Sequence, residues 1–225
     1  GTLIKLYGIV GLAFFFFSKN KLKLILSGLI ALIALVILPA ILSSPEFIVR
    51  SYTDWFISLK EKNMQNVSLN SMQDISFMGM VRRIMQDASI PNLPFLIGGL
   101  SLFFLPYARI SQYQYKTYRL MLLASVLIFT VIFSSGSESP TYIIAFAGVS
   151  IWFMIQEFPG SKGILFLFVF AFLLTSMSPS DLFPKIIRDT YIKPYSLKAL
   201  PCVLIWFVII YQMLTIDFKK LNTHA

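Results

Sequence analysis

Two neighbouring arginines, Arg82 and Arg83, are the residues of this sequence whose chemistry is easiest to infer. A guanidinium group binds a phosphate through paired hydrogen bonds, so we interpret both residues as candidates for holding a phosphate group. Asp74 lies in the same polar set, and we expect all three side chains to face water or a bound headgroup. The alternative is that the arginines only anchor a surface helix to lipid phosphates, and the sequence leaves both interpretations open.

The run Ser134–Tyr142 is a hydroxyl-rich turn that contains one acid, Glu138. A charged carboxylate close to the hydrocarbon region of a membrane is energetically costly unless it forms an ion pair, is hydrated or has a functional role. We therefore interpret Glu138, Ser139 and Tyr142 as substrate-binding residues of an outward-facing cavity, where the carboxylate accepts hydrogen bonds from a sugar hydroxyl or a cationic partner. The alternative is a helix cap, in which Ser or Glu satisfies free backbone N–H groups.

A further polar stretch runs from Ser178 to Lys198. Lys185 and Arg188 are three residues apart and share a face if the stretch is helical, where they could meet an anionic headgroup. We favour a solvated loop for this stretch.

Other catalytic patterns are lacking in the sequence. It contains neither a glycine-rich phosphate loop nor a metal-spaced cluster of His and Cys, so we expect no cofactor and no metal site. Cys202, the single cysteine, is interpreted as a small apolar residue within a membrane span, and His224 as a solvated residue of the tail. No residue can be assigned as catalytic from these patterns.

The composition indicates the environment in which these residues work. The chain is 57% hydrophobic and 13% charged, whereas soluble domains have about 45–50% apolar and about 25% charged residues. This excludes a disordered chain and predicts an all-α polytopic membrane protein. The net charge of +9 is scattered between apolar runs, so we interpret it as an orientation signal rather than a nucleic-acid surface.

The apolar runs approach the length of about 20 residues that a helix needs to cross a bilayer. We predict about seven transmembrane helices together with amphipathic interfacial helices. Hydrophobic sequence begins at Leu3, close behind Gly1, from which we expect the chain to be the C-terminal part of a larger protein whose first span is truncated. An N-terminal signal peptide is the alternative. The seven runs are Leu3–Phe17, Leu24–Leu42, Pro94–Ala108, Tyr118–Phe133, Pro140–Gln156, Gly163–Met177 and Leu200–Leu214.

The positive residues orient these spans, because cytoplasmic connections are enriched in Lys and Arg. The predicted organisation is two spans over residues 1–43, an extracytoplasmic amphipathic segment over 44–93, five spans over 94–215 and a cytoplasmic tail over 216–225. Four positive residues in the last outer connection count against this orientation: Lys185, Arg188, Lys193 and Lys198.

The segment over residues 44–93 contains two amphipathic stretches. Ser44, Pro45 and Glu46 predict a helix start, and a stripe of apolar residues at helical spacing follows, suited to lie flat on the membrane. In the second stretch, Ser71 to Gln86, we expect one buried apolar face. The apolar residues of the first stretch are Ile48, Tyr52, Trp55, Phe56 and Leu59, and those of the second include Ile75, Met78 and Met85.

Two sets of these residues resemble bacterial members of glycosyltransferase family 87, and the resemblance runs from about Ser44 to Tyr142. The second set is Ser137–Tyr142. The first is Tyr52, Trp55, Phe56, Lys62, Asn63, Gln73, Asp74, Ile75, Ser76, Gly79, Arg82, Arg83 and Ile84.

The resemblance implies part of a GT-C-type fold in a bacterial inner membrane. It implies a polyprenyl-phosphate-linked sugar donor and transfer of a hexose, for example mannose, with inversion to a lipid or glycan acceptor at the outer face. No residue here matches the family's acidic general base, because that loop would precede Gly1. Arg82 and Arg83 are then candidates for stabilising the phosphate leaving group, and we expect Arg82→Ala to reduce transfer without unfolding the protein.

A transporter or flippase-like protein for a lipid-linked or amphipathic substrate is the alternative. Transporters often contain internal repeats and broken helices at mid-membrane. The sequence shows no convincing repeat, and its polar residues gather at one predicted face, which favours surface chemistry on a lipid substrate.

Overall fold

The computed structural model describes residues 6–69, 71, 73–156 and 161–221, and within these ranges the chain is helical without any β-strand. The chain divides into two compact units, Gly1–Gln65 and Asn66–Ala225. The α-helices are α1 Lys21–Ile37, α2 Pro45–Val67, α3 Phe77–Met85, α4 Asn92–Phe104, α5 Lys116–Ile132, α6 Tyr142–Met154, α7 Lys162–Ala171, α8 Lys185–Ile187, α9 Leu200–Thr215 and α10 Phe218–Leu221.

Shorter helical turns connect or extend these helices. Two of them have the wider π geometry, Phe172–Met177 and Arg188–Ile192. The 3₁₀ segments are Leu6–Phe17, Leu38–Ile41, Leu105–Ala108, Ile110–Gln112, Ser139–Thr141 and Leu197–Ala199.

In the first unit, helix α1 is apolar and has no buried residue. Helix α2 begins at Pro45, as the sequence predicts, and the Ser44 hydroxyl accepts a hydrogen bond from the Phe47 N–H at 3.3 Å. The Tyr52 hydroxyl donates to the Val36 carbonyl at 3.1 Å, which ties α2 to α1. An apolar helix that buries nothing within its own unit is typical of a lipid-facing helix.

The core of the second unit lies between α5, α6 and α9. Trp152 and Trp206 are fully buried in it. The Trp206 indole N–H donates to the Ser125 hydroxyl at 3.0 Å, which satisfies both polar groups. A Cβ at Gly148 would lie 2.8 Å from the Ala124 carbonyl oxygen, so this glycine allows α5 and α6 to pack closely.

Each of the predicted apolar runs is largely helical where it is described. Within the described ranges, one helix, Leu197–Thr215 with 19 residues, is both long and apolar enough to cross a membrane. Shorter apolar helices cover Asn92–Ala108, Ser139–Met154 and Lys162–Met177. The number of spans therefore stays a prediction. Residues 3–5 of the first run, and His224, lie outside the described residues.

The second amphipathic stretch differs from its prediction. Of the residues before Phe77 in this stretch, the structure describes 71 and 73–76, which are not helical, and the helix covers only Phe77–Met85. Met78 is buried as expected, but Met85 is exposed. The reason is that the helix packs through its arginine side, whose polar groups find partners in the preceding loop.

Candidate functional site

Helix α3 is positioned by a tight loop that folds back beneath its first turn. Asp74 has a left-handed backbone with φ of 57°, which Asp tolerates better than most residues. The Ser76 hydroxyl caps the helix by accepting from the Gly79 N–H at 3.0 Å, and it donates to Asp74 Oδ1 at 2.6 Å. A Cβ on Gly79 would lie 2.0 Å from the Asp74 carbonyl oxygen, so only glycine lets the loop approach this closely.

Arg82 is directed into this loop instead of toward water. Its Nη2 donates to Asp74 Oδ2, and its Nη1 donates to Asn92 Oδ1 at 2.7 Å and to the Ile90 carbonyl at 3.0 Å. Both members of the ion pair are buried. Burial raises the pKa of the Asp74 carboxyl group, while the hydrogen bonds from Ser76 and Arg82 oppose that rise. The expectation that Asp74 and Arg82 face water is therefore wrong, because the two charges satisfy each other inside the protein.

Arg83 is also buried, with 5% of its surface exposed, but it has a different set of partners. Its guanidinium donates to three backbone carbonyls, those of Asp74 at 2.9 Å, Ser71 at 2.7 Å and Gln73 at 2.7 Å. Carbonyl oxygens orient a guanidinium without cancelling its charge. Arg83 consequently presents a fixed positive charge at the wall of a cavity.

Lys198, at the start of the long helix, is a second buried cation with neutral partners. Its ammonium donates to the Ser139 hydroxyl at 2.7 Å and to the Ser139 carbonyl at 2.9 Å. It also lies 5.4 Å from the centre of the Tyr142 ring. Among the described residues, neither Lys198 nor Arg83 forms an ion pair.

The Tyr142 hydroxyl connects the turn Ser139–Thr141 to the loop that precedes helix α3. It donates to the Ile75 carbonyl at 2.7 Å, and the Ile75 N–H donates to the Ser137 carbonyl at 2.8 Å. Tyr142 itself is buried. Two segments that are distant in sequence are thereby held side by side, which brings Arg83 and Lys198 to the same cavity.

That cavity, which we call the basic cavity, has a volume of about 330 Å³. Four of its lining residues are cationic and four are serines, and its lining contains no Asp or Glu. Such a lining is suited to an anion rich in oxygen acceptors. The residues are Ser71, Ile75, Arg83, Ser139, Ser178, Pro179, Arg188, Ile192, Lys193, Ser196 and Lys198.

The other two cations, Arg188 and Lys193, lie at the rim and have acidic neighbours. Lys193 donates to Asp189 at 2.9 Å, and Arg188 lies 3.3 Å from the same carboxylate. Asp181, which is fully exposed, is 3.9 Å from Arg188. The hydrogen bond from Lys193 lowers the pKa of the Asp189 carboxyl group, so the rim carries both signs of charge at neutral pH.

A second concavity, which we call the apolar groove, adjoins the basic cavity. It has a volume of about 490 Å³. The two share three lining residues, Ser139, Pro179 and Lys198. The remainder of the groove consists of Pro140, Tyr142, Ile143, Phe146, Thr175 and Ser176. A charged compartment thus opens beside an apolar one, with Lys198 at the junction.

The structure brings several of the predicted site residues together. Arg83 and Ser139 line the basic cavity, and Tyr142 lines the apolar groove. Asp74 and Arg82 form the buried pair behind Arg83. No group of three His, Cys, Asp or Glu in the described ranges is arranged to hold a metal ion.

Glu138 occupies a different position from the one expected for a cavity residue. It is the N-cap residue of the turn Ser139–Thr141 and forms a capping box with Thr141. Its N–H donates to the Thr141 hydroxyl at 3.3 Å. Glu138 is not among the lining residues of either concavity. This geometry corresponds to the helix-cap interpretation.

Sequence reasoning missed Lys198 as a site residue and assigned Arg188 to a solvated loop. One signal was available, since Lys198 directly precedes an apolar run and has no acid nearby in the sequence. A lysine at the edge of a span whose charge is not balanced locally is a candidate ligand for an anion. The hydroxyls of Ser178 and Ser196 gave no such signal, because only the fold brings them to the cavity.

Comparison with known protein families gives one finding. The model of glycosyltransferase family 87 matches residues 1–135, which is more than half of the chain. Three residues that line the basic cavity, Ser71, Ile75 and Arg83, lie within the matched range. Neither a curated protein nor a solved structure matches the chain.

Proposed function

The chain belongs to glycosyltransferase family 87, and from that premise we propose that it is a membrane glycosyltransferase that takes a hexose, for example mannose, from a polyprenyl-phosphate donor. The acceptor is a lipid or glycan at the outer face of a bacterial inner membrane. The observation that carries the donor class is the basic cavity, in which two buried cations have only neutral partners and an apolar groove begins alongside.

The charge of the cavity supports a phosphate ligand. Burying an ion without a counter-ion is costly, so buried cations in a folded protein are normally paired. Arg82 obeys this rule through Asp74, whereas Arg83 and Lys198 do not have a carboxylate partner in the described structure. A bound anion would supply that missing charge. Guanidinium and ammonium groups together with serine hydroxyls suit the several oxygen atoms of a phosphate.

The adjoining groove supports a lipid rather than a nucleotide carrier. A polyprenyl phosphate is an anionic head on a long apolar chain, and it requires a charged compartment that continues into an apolar one. Lys198 and Ser139 line both concavities. With a phosphate between Arg83 and Lys198, the first isoprene units would lie against Ile143 and Phe146.

The same cations suit the chemistry of transfer. The acceptor oxygen attacks the anomeric carbon, the bond from that carbon to the phosphate oxygen breaks, and its electron pair remains on the phosphate. Negative charge therefore grows on the phosphate in the transition state, and fixed cations stabilise it without having to move. The lining offers no carboxylate to accept the proton of the acceptor, so we assign no general base to these residues.

Membrane location has two kinds of support. Helix α1 exposes apolar side chains all around within its unit, and Leu197–Thr215 is long and apolar enough to span a bilayer. Lys198 is at the start of that helix, which suits a headgroup at the membrane surface.

The test is a transfer assay on membranes containing the full chain. Radiolabelled polyprenyl-phospho-mannose, polyprenyl-phospho-glucose and the corresponding nucleotide sugars are supplied in parallel, and label in lipid and glycan products is counted. We expect transfer from a polyprenyl-phospho-sugar and none from a nucleotide sugar. Transfer from nucleotide sugars alone would contradict the proposed donor class. Movement of the intact labelled lipid across the membrane without transfer would favour a flippase.

A further inference from the structure

The basic cavity has a charge that suits one reaction component better than another. Four lining cations face two rim carboxylates, those of Asp181 and Asp189, which leaves two positive charges in excess. Asp74 does not enter this count, because Arg82 neutralises it. An ion with two negative charges would balance the cavity, and an ion with one would not.

We propose that the cavity binds the lipid phosphomonoester product more tightly than the sugar-loaded donor, so that the free lipid phosphate inhibits this enzyme. The inference rests on the proposed function, since it concerns the donor site described there. It adds a regulation that follows from the number and rigidity of the cations.

The reaction itself changes the charge of the lipid. The donor is a phosphodiester with one negative charge. When the anomeric carbon–oxygen bond breaks, its electron pair stays on the phosphate, the acceptor oxygen bonds to the sugar, and the acceptor proton is released to a base or to water. The product is a phosphomonoester, whose charge near pH 7 is about −1.5 to −2 by analogy with phosphorylated side chains.

Hydrogen bonds to the protein hold both inner cations in position at the cavity. Three backbone carbonyls hold the Arg83 guanidinium at 2.7–2.9 Å. The backbone carbonyl and hydroxyl of Ser139 hold the Lys198 ammonium at 2.9 and 2.7 Å. Cations fixed in this way favour the more highly charged ligand, and the lower local dielectric strengthens the preference. Tight product binding is thus a consequence of transition-state stabilisation at this site.

The charge of the ligand titrates between about pH 5.5 and 7.5, because the second ionisation of a phosphomonoester has a pKa of about 6. The charged side chains at the cavity are Arg83, Lys198, Arg188, Lys193, Asp181 and Asp189. Exposed lysine and aspartate side chains such as those of Lys193, Asp181 and Asp189 at the rim ordinarily ionise outside this pH window. Any preference for the monoester that rests on charge should therefore fade as the pH falls.

The experiment compares two lipids that differ in one charge, farnesyl phosphate and its monomethyl ester. Both are titrated into the full chain in detergent micelles, and dissociation constants are measured by displacement of radiolabelled farnesyl phosphate at about pH 7.5 and about pH 5.5, on either side of the phosphate pKa. We expect the monoester to bind about tenfold more tightly at the higher pH and the preference to fall to about twofold at the lower one. Lys198→Gln should abolish the preference, and the exposed control Lys185→Gln should retain it.

The outcomes separate the inference from its premise. Equal affinities for both lipids, each weakened by Lys198→Gln, would overturn the proposed preference for the product. The assignment of the cavity as the donor site would remain supported. Failure of both lipids to bind would overturn the assignment of the cavity as a phosphate site, and the proposed preference for the product with it. Inorganic phosphate that displaced the label as effectively as farnesyl phosphate would show that the cavity recognises free phosphate, which would also overturn the proposal. In the transfer assay, added farnesyl phosphate should inhibit more strongly than its methyl ester.

Discussion

The ammonium group of Lys198 lies 2.7 Å from the hydroxyl oxygen and 2.9 Å from the carbonyl oxygen of Ser139, a residue 59 positions earlier in the chain. These two bonds fix the cation at the junction of the basic cavity and the apolar groove. An ammonium has three donors, so one N–H is left for a ligand after Ser139 is satisfied. Lys198 is therefore the residue on which donor binding should depend most directly.

Replacing Lys198 by Gln should reduce kcat/KM for transfer by about 10²-fold, the loss typical of removing one group that stabilises developing negative charge. Lys198→Arg should recover part of the activity, because the charge is retained although the geometry differs. The measurement is the initial rate of transfer from a polyprenyl-phospho-sugar in membranes with matched protein levels. Lys185→Gln, which removes an exposed cation outside the cavity, should remain active, and an equal loss in that variant would contradict the assignment.

The buried pair of Asp74 and Arg82 leads to a prediction about stability rather than rate. From the sequence alone we expect Arg82→Ala to leave the protein folded. From the structure we expect it to destabilise the protein, because it leaves the buried Asp74 carboxylate without its ion-pair partner. Breaking a buried ion pair by removing one partner costs about 3–5 kcal/mol. We expect a markedly lower Tm in detergent for Arg82→Ala, measured by intrinsic fluorescence.

The matched control for this prediction is Arg119→Ala, which removes an exposed arginine of helix α5. Its Tm should stay close to that of the unmodified protein. Arg82→Ala protein with an unchanged Tm and reduced transfer would restore the view that Arg82 acts on the substrate.

Gly79 gives a steric prediction. A Cβ at this position would lie 2.0 Å from the Asp74 carbonyl oxygen, which is backbone and cannot rotate away. Gly79→Ala should therefore destabilise the protein by about 1–3 kcal/mol, as overpacking does, and displace the loop that holds Arg83. Thermal melting and binding of farnesyl phosphate report the two effects.

The control is Gly98→Ala, because a Cβ there meets nothing within 4 Å. In a helix interior this change should be neutral or stabilising by about 0.5–1 kcal/mol. Equal melting temperatures for the two alanine variants would be inconsistent with the packing of the α3 loop.

Local sequence signals predicted the elements of this protein better than their mutual arrangement. Pro45 after Ser44 marked the start of α2, since capping and the proline ring act within one turn. The arginines were recognised as a pair, yet their different surroundings were not, because Arg82 meets Asn92 and Arg83 meets Ser71 only through the folded loop. Lys198 escaped notice for the same reason, since its partner is 59 residues away.

A substitution at the rim of the basic cavity should increase the affinity for a phosphate ligand. The hydrogen bond from Lys193 lowers the pKa of the Asp189 carboxyl group, which therefore stays ionised throughout the neutral range and offsets Lys193 and Arg188. Asp189→Asn should raise the affinity for farnesyl phosphate by about twofold to threefold at low ionic strength, because exposed charges interact weakly, and salt should reduce the gain. Asp54→Asn, which changes an exposed acid of helix α2, should have no effect.

The effect of Asp189→Asn on the affinity for farnesyl phosphate should depend on pH. Above the pKa of Asp189 the unmodified protein carries the carboxylate and the variant does not, so the difference in affinity is fully present. As the pH falls through that pKa, the carboxyl group becomes neutral and the two proteins should converge. A difference in affinity that persists when the carboxyl group is protonated would mean that the Asp189→Asn substitution acts through structure instead of charge.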